Sequence, residues 1–205
     1  MHLANTLYWQ ACAAKYPKHF ADPSRVIEFG SYNINGTIRD AFNCTDYTGL
    51  DWRPGPAVDV VSLAHEYKTD KPFDTVVSAS MLEHDPHWEK SLNALLDCMK
   101  DNGILILTWG AALNEEHCLQ EAPDGKFHAL PAGKVIHKLE AENMYIHEFQ
   151  YENLFMGRTQ DLTQIRRRDR GGMGEVGLVA FWDKKHAKGT ERVIDELVPQ
   201  DRKDA

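Results

Sequence analysis

Five short apolar runs dominate the first half of the chain: RVIEF, YTGLD, AVDVV, FDTVVSAS and GILILTW, each followed by polar or glycine-bearing sequence. Continuous apolar runs of this length read as strands buried on both faces, as in a parallel sheet. Parallel neighbours need crossovers. HWEKSLNALLDCMK supplies one between the fourth and fifth runs, with Trp88, Leu92, Leu95, Leu96 and Met99 at helical spacing. Another helix is expected after Gly36, and an Asp101-Asn102-Gly103 turn is expected to lead into the fifth run.

Beyond that run the pattern changes. AGKVIHKLEAEN reads as a helix, and YIHEFQYENLF and VGLVAFWDKK as two long strands joined by a polar loop. Ahead of the first run, Leu3, Leu7 and Ala11 fall at helical spacing, which makes residues 1–22 an amphipathic helical segment. Residues 186–205 are a charged tail containing the helical stretch ERVIDEL. The expectation is one α/β domain over residues 1–205: a Rossmann-like, open, mostly parallel sheet with helices on both faces and a C-terminal antiparallel strand pair.

Charge and cysteine usage narrow the function classes. Acids outnumber bases 31 to 23, and the net charge of −8 argues against broad binding to nucleic acid or an anionic membrane. No run approaches the roughly 18 apolar residues of a spanning helix. The N-terminus lacks the basic start and long apolar stretch of a secretory leader, so cytoplasmic residence is expected. Cys12, Cys44, Cys98 and Cys118 are far apart and in no zinc-ligand spacing, so they read as reduced thiols. His84 and His87, with Glu83 and Asp85 beside them, lack a second ligand group, and no metal is expected.

In open parallel sheets ligands bind beyond the carboxyl ends of the strands. The loop after the first run, in VIEFGSYNINGTIR, places Tyr32 and Asn35 where a dinucleotide-binding loop needs glycines. It is polar and uncharged before Arg39, which suits a ligand offering hydroxyls, an amine and a carboxylate better than one offering two phosphates. Asp51 closes the second run. A carboxylate has two acceptor oxygens, which match the paired hydroxyl donors of a ribose.

These segments, VIEFGSYNINGTIR, YTGLDWRPGPAVDVV, FDTVVSASMLEHDPHW and MKDNGILILT, in this order, resemble the class I S-adenosylmethionine-dependent methyltransferases over roughly residues 24–110. The LEH after the fourth run resembles the small-molecule branch. The resemblance implies S-adenosyl-L-methionine as cofactor. It implies that Glu28 and Gly30, with Ser31, Tyr32 and Asn35, begin the loop around the methionine moiety. It further implies that Asp51 holds the ribose, Trp52 flanks the adenine, Leu63 and Ala64 line its pocket, and Ser80 and Met81 sit beside the sulfonium. Tyr32 stands where a glycine is usual in that superfamily, and Ser62 where an aspartate is common.

Methyl transfer needs alignment and exclusion of water more than it needs acid–base groups, though a hydroxyl or ammonium acceptor calls for a base. His84 is the candidate base, and His87 lies where the acceptor should sit. Residues 114–131 are the expected lid, with His117, Phe127 and His128 as candidate acceptor contacts. The expected acceptor is a small molecule or small group, methylated on oxygen or nitrogen. The alternatives are a catalytically degenerate binding module, or an RNA-directed enzyme that uses Arg166, Arg167, Arg168 and Arg170.

Overall fold

The computed structural model describes residues 3–34, 36–110, 130–151, 175–183 and 185. Its elements run α1 (Leu3–Lys15), β1 (Val26–Phe29), β2 (Tyr47–Asp51), β3 (Val60–Val61), β4 (Phe73–Ala79), α2 (Trp88–Asp97), β5 (Met99–Gly110), α3 (Ala132–Ala141), β6 (Tyr145–Tyr151) and β7 (Glu175–Phe181). They form one seven-stranded sheet in the order β3-β2-β1-β4-β5-β7-β6. The pairs from β3 to β5 are parallel, and β7 runs antiparallel to both β5 and β6. The fold is the expected Rossmann-like, mostly parallel sheet with helices on both faces. Among the described strands, however, β7 inserts between β5 and β6, so β6 forms the edge.

Strand alternation sorts the core into two layers. Ile27, Phe29, Leu105, Leu107 and Leu178 face α2 and α3, where Leu92, Leu95, Val135 and Leu139 meet them. Val26, Val77, Ile104, Ile106 and Phe181 face the other way, against Tyr8, Trp9, Cys12 and Tyr16 at the N-terminus. The buried stripe of α1 is therefore Asn5, Tyr8, Trp9 and Cys12, continued just past the helix by Tyr16. The expected stripe was different: Leu7 is exposed, and so is Ala11. Aromatic area explains the outcome, because burying rings of this size outweighs burying one leucine and one alanine. The Tyr8 ring lies so close to Gly177 of β7 that a Cβ there would sit 2.5 Å from Tyr8 Cε2.

Three other expectations are corrected. The helix expected after Gly36 is a single 3-10 turn, Ile38–Ala41, started by the Thr37 hydroxyl accepting the Arg39 N–H at 3.1 Å. Phe42 ends it in extended backbone and stacks on Phe20, ring centroids 4.2 Å apart. The third run contributes only Val60 and Val61 to the sheet. The turn expected at Asp101–Gly103 lies inside β5, and a register shift against β4 between Phe73 and Thr75 absorbs the extra residues.

Cys12, Cys44 and Cys98 are free thiols, and Cys118 lies outside the described residues. No described helix is long and apolar enough to cross a membrane.

Candidate functional site

A cavity of about 640 Å³ opens over the carboxyl ends of β1, β2 and β4. Its wall brings together Glu28, Gly30, Ser31, Tyr32, Asp51, Trp52, Leu63, Ala64, Ser80, Met81, His84 and His87, every expected site residue within the described chain. Asn35, His117, Phe127, His128 and the four arginines lie outside the described residues.

The loop leaving β1 is fastened to β2. The N–H groups of Gly30 and Ser31 both donate to the Leu50 carbonyl, at 2.8 and 3.0 Å. Gly30 has φ +83°, and a Cβ there would lie 2.6 Å from Met81 Cβ. Only glycine allows both the left-handed backbone and this close approach of the β4 loop. Ser31 is buried, and its hydroxyl has no partner among the described residues. Tyr32 occupies a made place: its N–H donates to Asp51 Oδ2 at 3.2 Å and the Arg53 guanidinium lies 3.8 Å from its ring centroid. Gly55 faces that ring so closely that a Cβ would meet it. Further on, the Asn33 N–H donates to the Pro56 carbonyl, so two loops close on each other beside the cavity.

Two buried carboxyl groups lie beneath this junction. Glu28 does not project from the loop; it stands in β1, where the Tyr47 hydroxyl donates to its Oε2 at 2.7 Å. Burial pushes its pKa up to about 7, against the pull of that hydrogen bond and of Arg39. Asp51, at the tip of β2, is 7% exposed. Burial raises its pKa above the ordinary carboxylate value, while N–H donors from Tyr32 and Arg53 act in the opposite sense.

One end of the cavity is apolar. Trp52 and Leu63 stand exposed at its rim with Ile34, and Ala64 lies deeper. Ser62 lines the same end, with its hydroxyl turned to the Leu63 carbonyl at 3.1 Å. The opposite end is polar. Ser80, in left-handed backbone at φ +51°, follows β4, and the Asn5 side-chain amide donates to its hydroxyl at 3.3 Å.

The LEH segment is a 3-10 turn, Leu82–His84. Glu83 is buried and accepts the Gly110 N–H at 2.7 Å, holding the end of β5. His84 is half-buried on the cavity wall. The exposed His87 packs edge-to-face with His65, ring centroids 4.8 Å apart. Among the described residues no cluster of three or more His, Cys, Asp or Glu side chains is arranged to hold a metal.

Sequence reasoning missed Asn5, Arg53 and His65 as wall residues. For Asn5 a signal existed: a polar residue lies on the stripe otherwise formed by Tyr8, Trp9 and Cys12, and a buried polar residue is the informative exception.

The Cβ-free cradle at Gly30, the unpartnered Ser31 hydroxyl and the buried acceptor at Asp51 together fit a nucleoside bearing an amino-acid tail. Comparisons with known proteins point the same way. Residues 7–154 match the model of a family described as a methyltransferase domain. No curated protein matches the sequence.

Solved structures share the fold at low identity. A S-adenosylmethionine-dependent methyltransferase from Clostridium acetobutylicum superposes with TM-score 0.60 at 8% identity, over 88% of this chain and 92% of that one. The 1,6-didemethyltoxoflavin-N1-methyltransferase of Burkholderia thailandensis, solved with 1,6-didemethyltoxoflavin and S-adenosylhomocysteine bound, gives 0.60 at 13%, over 87% and 77%. The 4+2 cyclase SpnF gives 0.57 at 15%, over 85% and 80%. With a family model matched across residues 7–154, the chain belongs to the methyltransferase domain family, within the superfamily that its strand-end motifs resemble.

Proposed function

We propose that the protein is an S-adenosylmethionine-dependent methyltransferase acting on a small molecule or a small group. The observation that carries this reading is one cavity with an apolar end, a buried carboxylate at the β2 tip and a glycine cradle at the end of β1. Asp51 would accept from the ribose hydroxyls, and Trp52, Leu63 and Ala64 would enclose the base. Gly30 and Ser31 would meet the amino-acid tail, with Asn35 expected beside them. When bound, the cofactor supplies a methyl group on a sulfonium, which is already an excellent leaving group.

The chain's own task is then to bind, align and exclude water. Glu28, ionised above about pH 7, places a negative charge beneath a cationic ligand. His84, on the wall beyond β4, is the candidate base for an acceptor that must lose a proton, and His87 flanks the acceptor's path. The small-acceptor reading draws support from the cavity's size, from the net charge of −8, and from the fold-mate of Burkholderia, which holds a small acceptor and S-adenosylhomocysteine together. Cytoplasmic residence and a single functional domain fit this reading.

The test is calorimetry with S-adenosylmethionine, S-adenosylhomocysteine and NAD. Binding of both sulfur ligands without NAD is expected. NAD binding with neither sulfur ligand overturns the proposal.

A further inference from the structure

The polar end of the cavity is built from elements far apart in the chain. Asn5 of α1 is 2% exposed and lines the cavity. The indole N–H of Trp9 donates to its side-chain carbonyl oxygen at 2.8 Å, and the Thr108 hydroxyl donates to the same oxygen at 3.1 Å. An indole nitrogen can only donate, so the Asn5 carbonyl must face Trp9. Both lone pairs of that oxygen are then used, and the NH2 group is turned toward the end of β4.

One of its N–H bonds goes to the Ser80 hydroxyl. The other has no partner among the described residues. Ser80 accepts from Asn5, which leaves its own hydroxyl proton uncommitted. The Ser80 backbone is held by its N–H donating to the Thr108 carbonyl at 2.8 Å, at a φ of +51° that serine rarely adopts. Such strain persists only where the surroundings over-determine it.

On the cofactor reading above, we infer that Asn5 and Ser80 are a donor pair for the methyl acceptor, and that the acceptor atom is the oxygen of an acid: a phenol, an enol or a carboxylic acid. The chemistry follows from lone pairs. An amine nitrogen has one, and the incoming methyl needs it. An oxyanion keeps spare pairs for an amide N–H and a hydroxyl while another attacks carbon. Two fixed donors also favour the ionised acceptor over its neutral form.

The probe is 4-nitrophenol, whose ionisation is visible in its absorbance, added to protein saturated with S-adenosylhomocysteine. Wild type should bind the phenolate in preference to the phenol and lower its apparent pKa. Asn5→Asp keeps an acceptor for Trp9 and Thr108 but replaces the amide donor with an oxygen, and should weaken phenolate binding by about tenfold or more. Ser80→Ala, which removes the second donor without touching the Trp9 contact, should weaken it less, and decides the matter if Asn5→Asp fails to fold. Preference for the neutral phenol, no binding of either form, or unchanged phenolate affinity in the folded variants overturns the inference. Calorimetry with S-adenosylhomocysteine is run first on each protein; wild type without affinity for it overturns instead the cofactor assignment beneath.

Discussion

At the β2–β3 end of the cavity Trp52 and Leu63 are left 39% and 44% exposed, whereas at the α1 end Asn5 is 2% exposed with its carbonyl oxygen doubly bonded. The first end is open apolar surface awaiting a flat partner, and its selectivity is one of shape and area. The second is set before any ligand arrives, and its selectivity is the polarity of fixed donors. Asp51 and Gly30 form the seam between them, where backbone hydrogen bonds tie the β1 and β2 loops together. On the proposed function, the comparison teaches how one cavity can divide its labour: the rim would supply affinity and the α1 wall would select chemistry.

Breaking the seam should have the largest effect. Gly30→Ala places a Cβ against Met81 in left-handed backbone. Strain and overpacking together should cost about 2–5 kcal/mol of stability in urea denaturation. Affinity for S-adenosylhomocysteine should fall with it. A variant as stable as wild type would mean the two loops are not held as described.

Glu28→Gln sharpens the comparison through pH. The carboxyl titrates near 4.5 when unfolded and at about 7 when folded. The unfolded chain thus releases its proton first, and wild type loses stability as pH rises from about 4.5 to about 7, by roughly 3 kcal/mol in all. The glutamine, still able to accept from Tyr47, should remove that loss in denaturation curves at pH 5 and pH 8. It should also remove any rise across the same window in affinity for cationic S-adenosylmethionine relative to its neutral product. A pH-dependent loss of equal size in the variant would assign the titration elsewhere.

Asp51→Ala should act on one side of the seam only. Loss of hydrogen bonds to a charged group should weaken S-adenosylhomocysteine by about 1.5–3 kcal/mol, and adenosine by the same amount. Asn5→Asp should leave adenosine untouched. If calorimetry showed adenosine binding unaffected by Asp51→Ala, the ribose would have to sit elsewhere.

The sheet was legible because its signals are local. RVIEF and GILILTW declare buried strands by composition, and WEKSLNALLD declares its helix by spacing. The strand-end rule then pointed to the Gly30 loop and Asp51 without any knowledge of packing, and the family resemblance added Ser80. What remained hidden depends on distant partners. Nothing near residues 175–181 says that β7 will slip between β5 and β6, because that choice is made by cross-strand packing. The face of α1 was misread for the same reason: aliphatic spacing favoured Leu7, while the flat surface offered by Val179 and Phe181 accepts rings. Once the helix was turned the wrong way, Asn5 was invisible as a wall of the cavity.

The contact of Tyr8 with Gly177 has a temporal side. α1 is synthesised before every strand of the described sheet, yet part of its apolar face rests on Val179 and Phe181, more than 160 residues later in the chain. Contacts of such long sequence separation form late, since the closure of a long loop must precede them. The helix can rest earlier on Val26, Val77, Ile104 and Ile106, but its face is fully covered only when β7 arrives. Asn5, Trp9, Ser80 and Thr108 all precede β7, so that strand adds the clamp of Gly177 on Tyr8 to a hydrogen-bonded wall whose members are already synthesised.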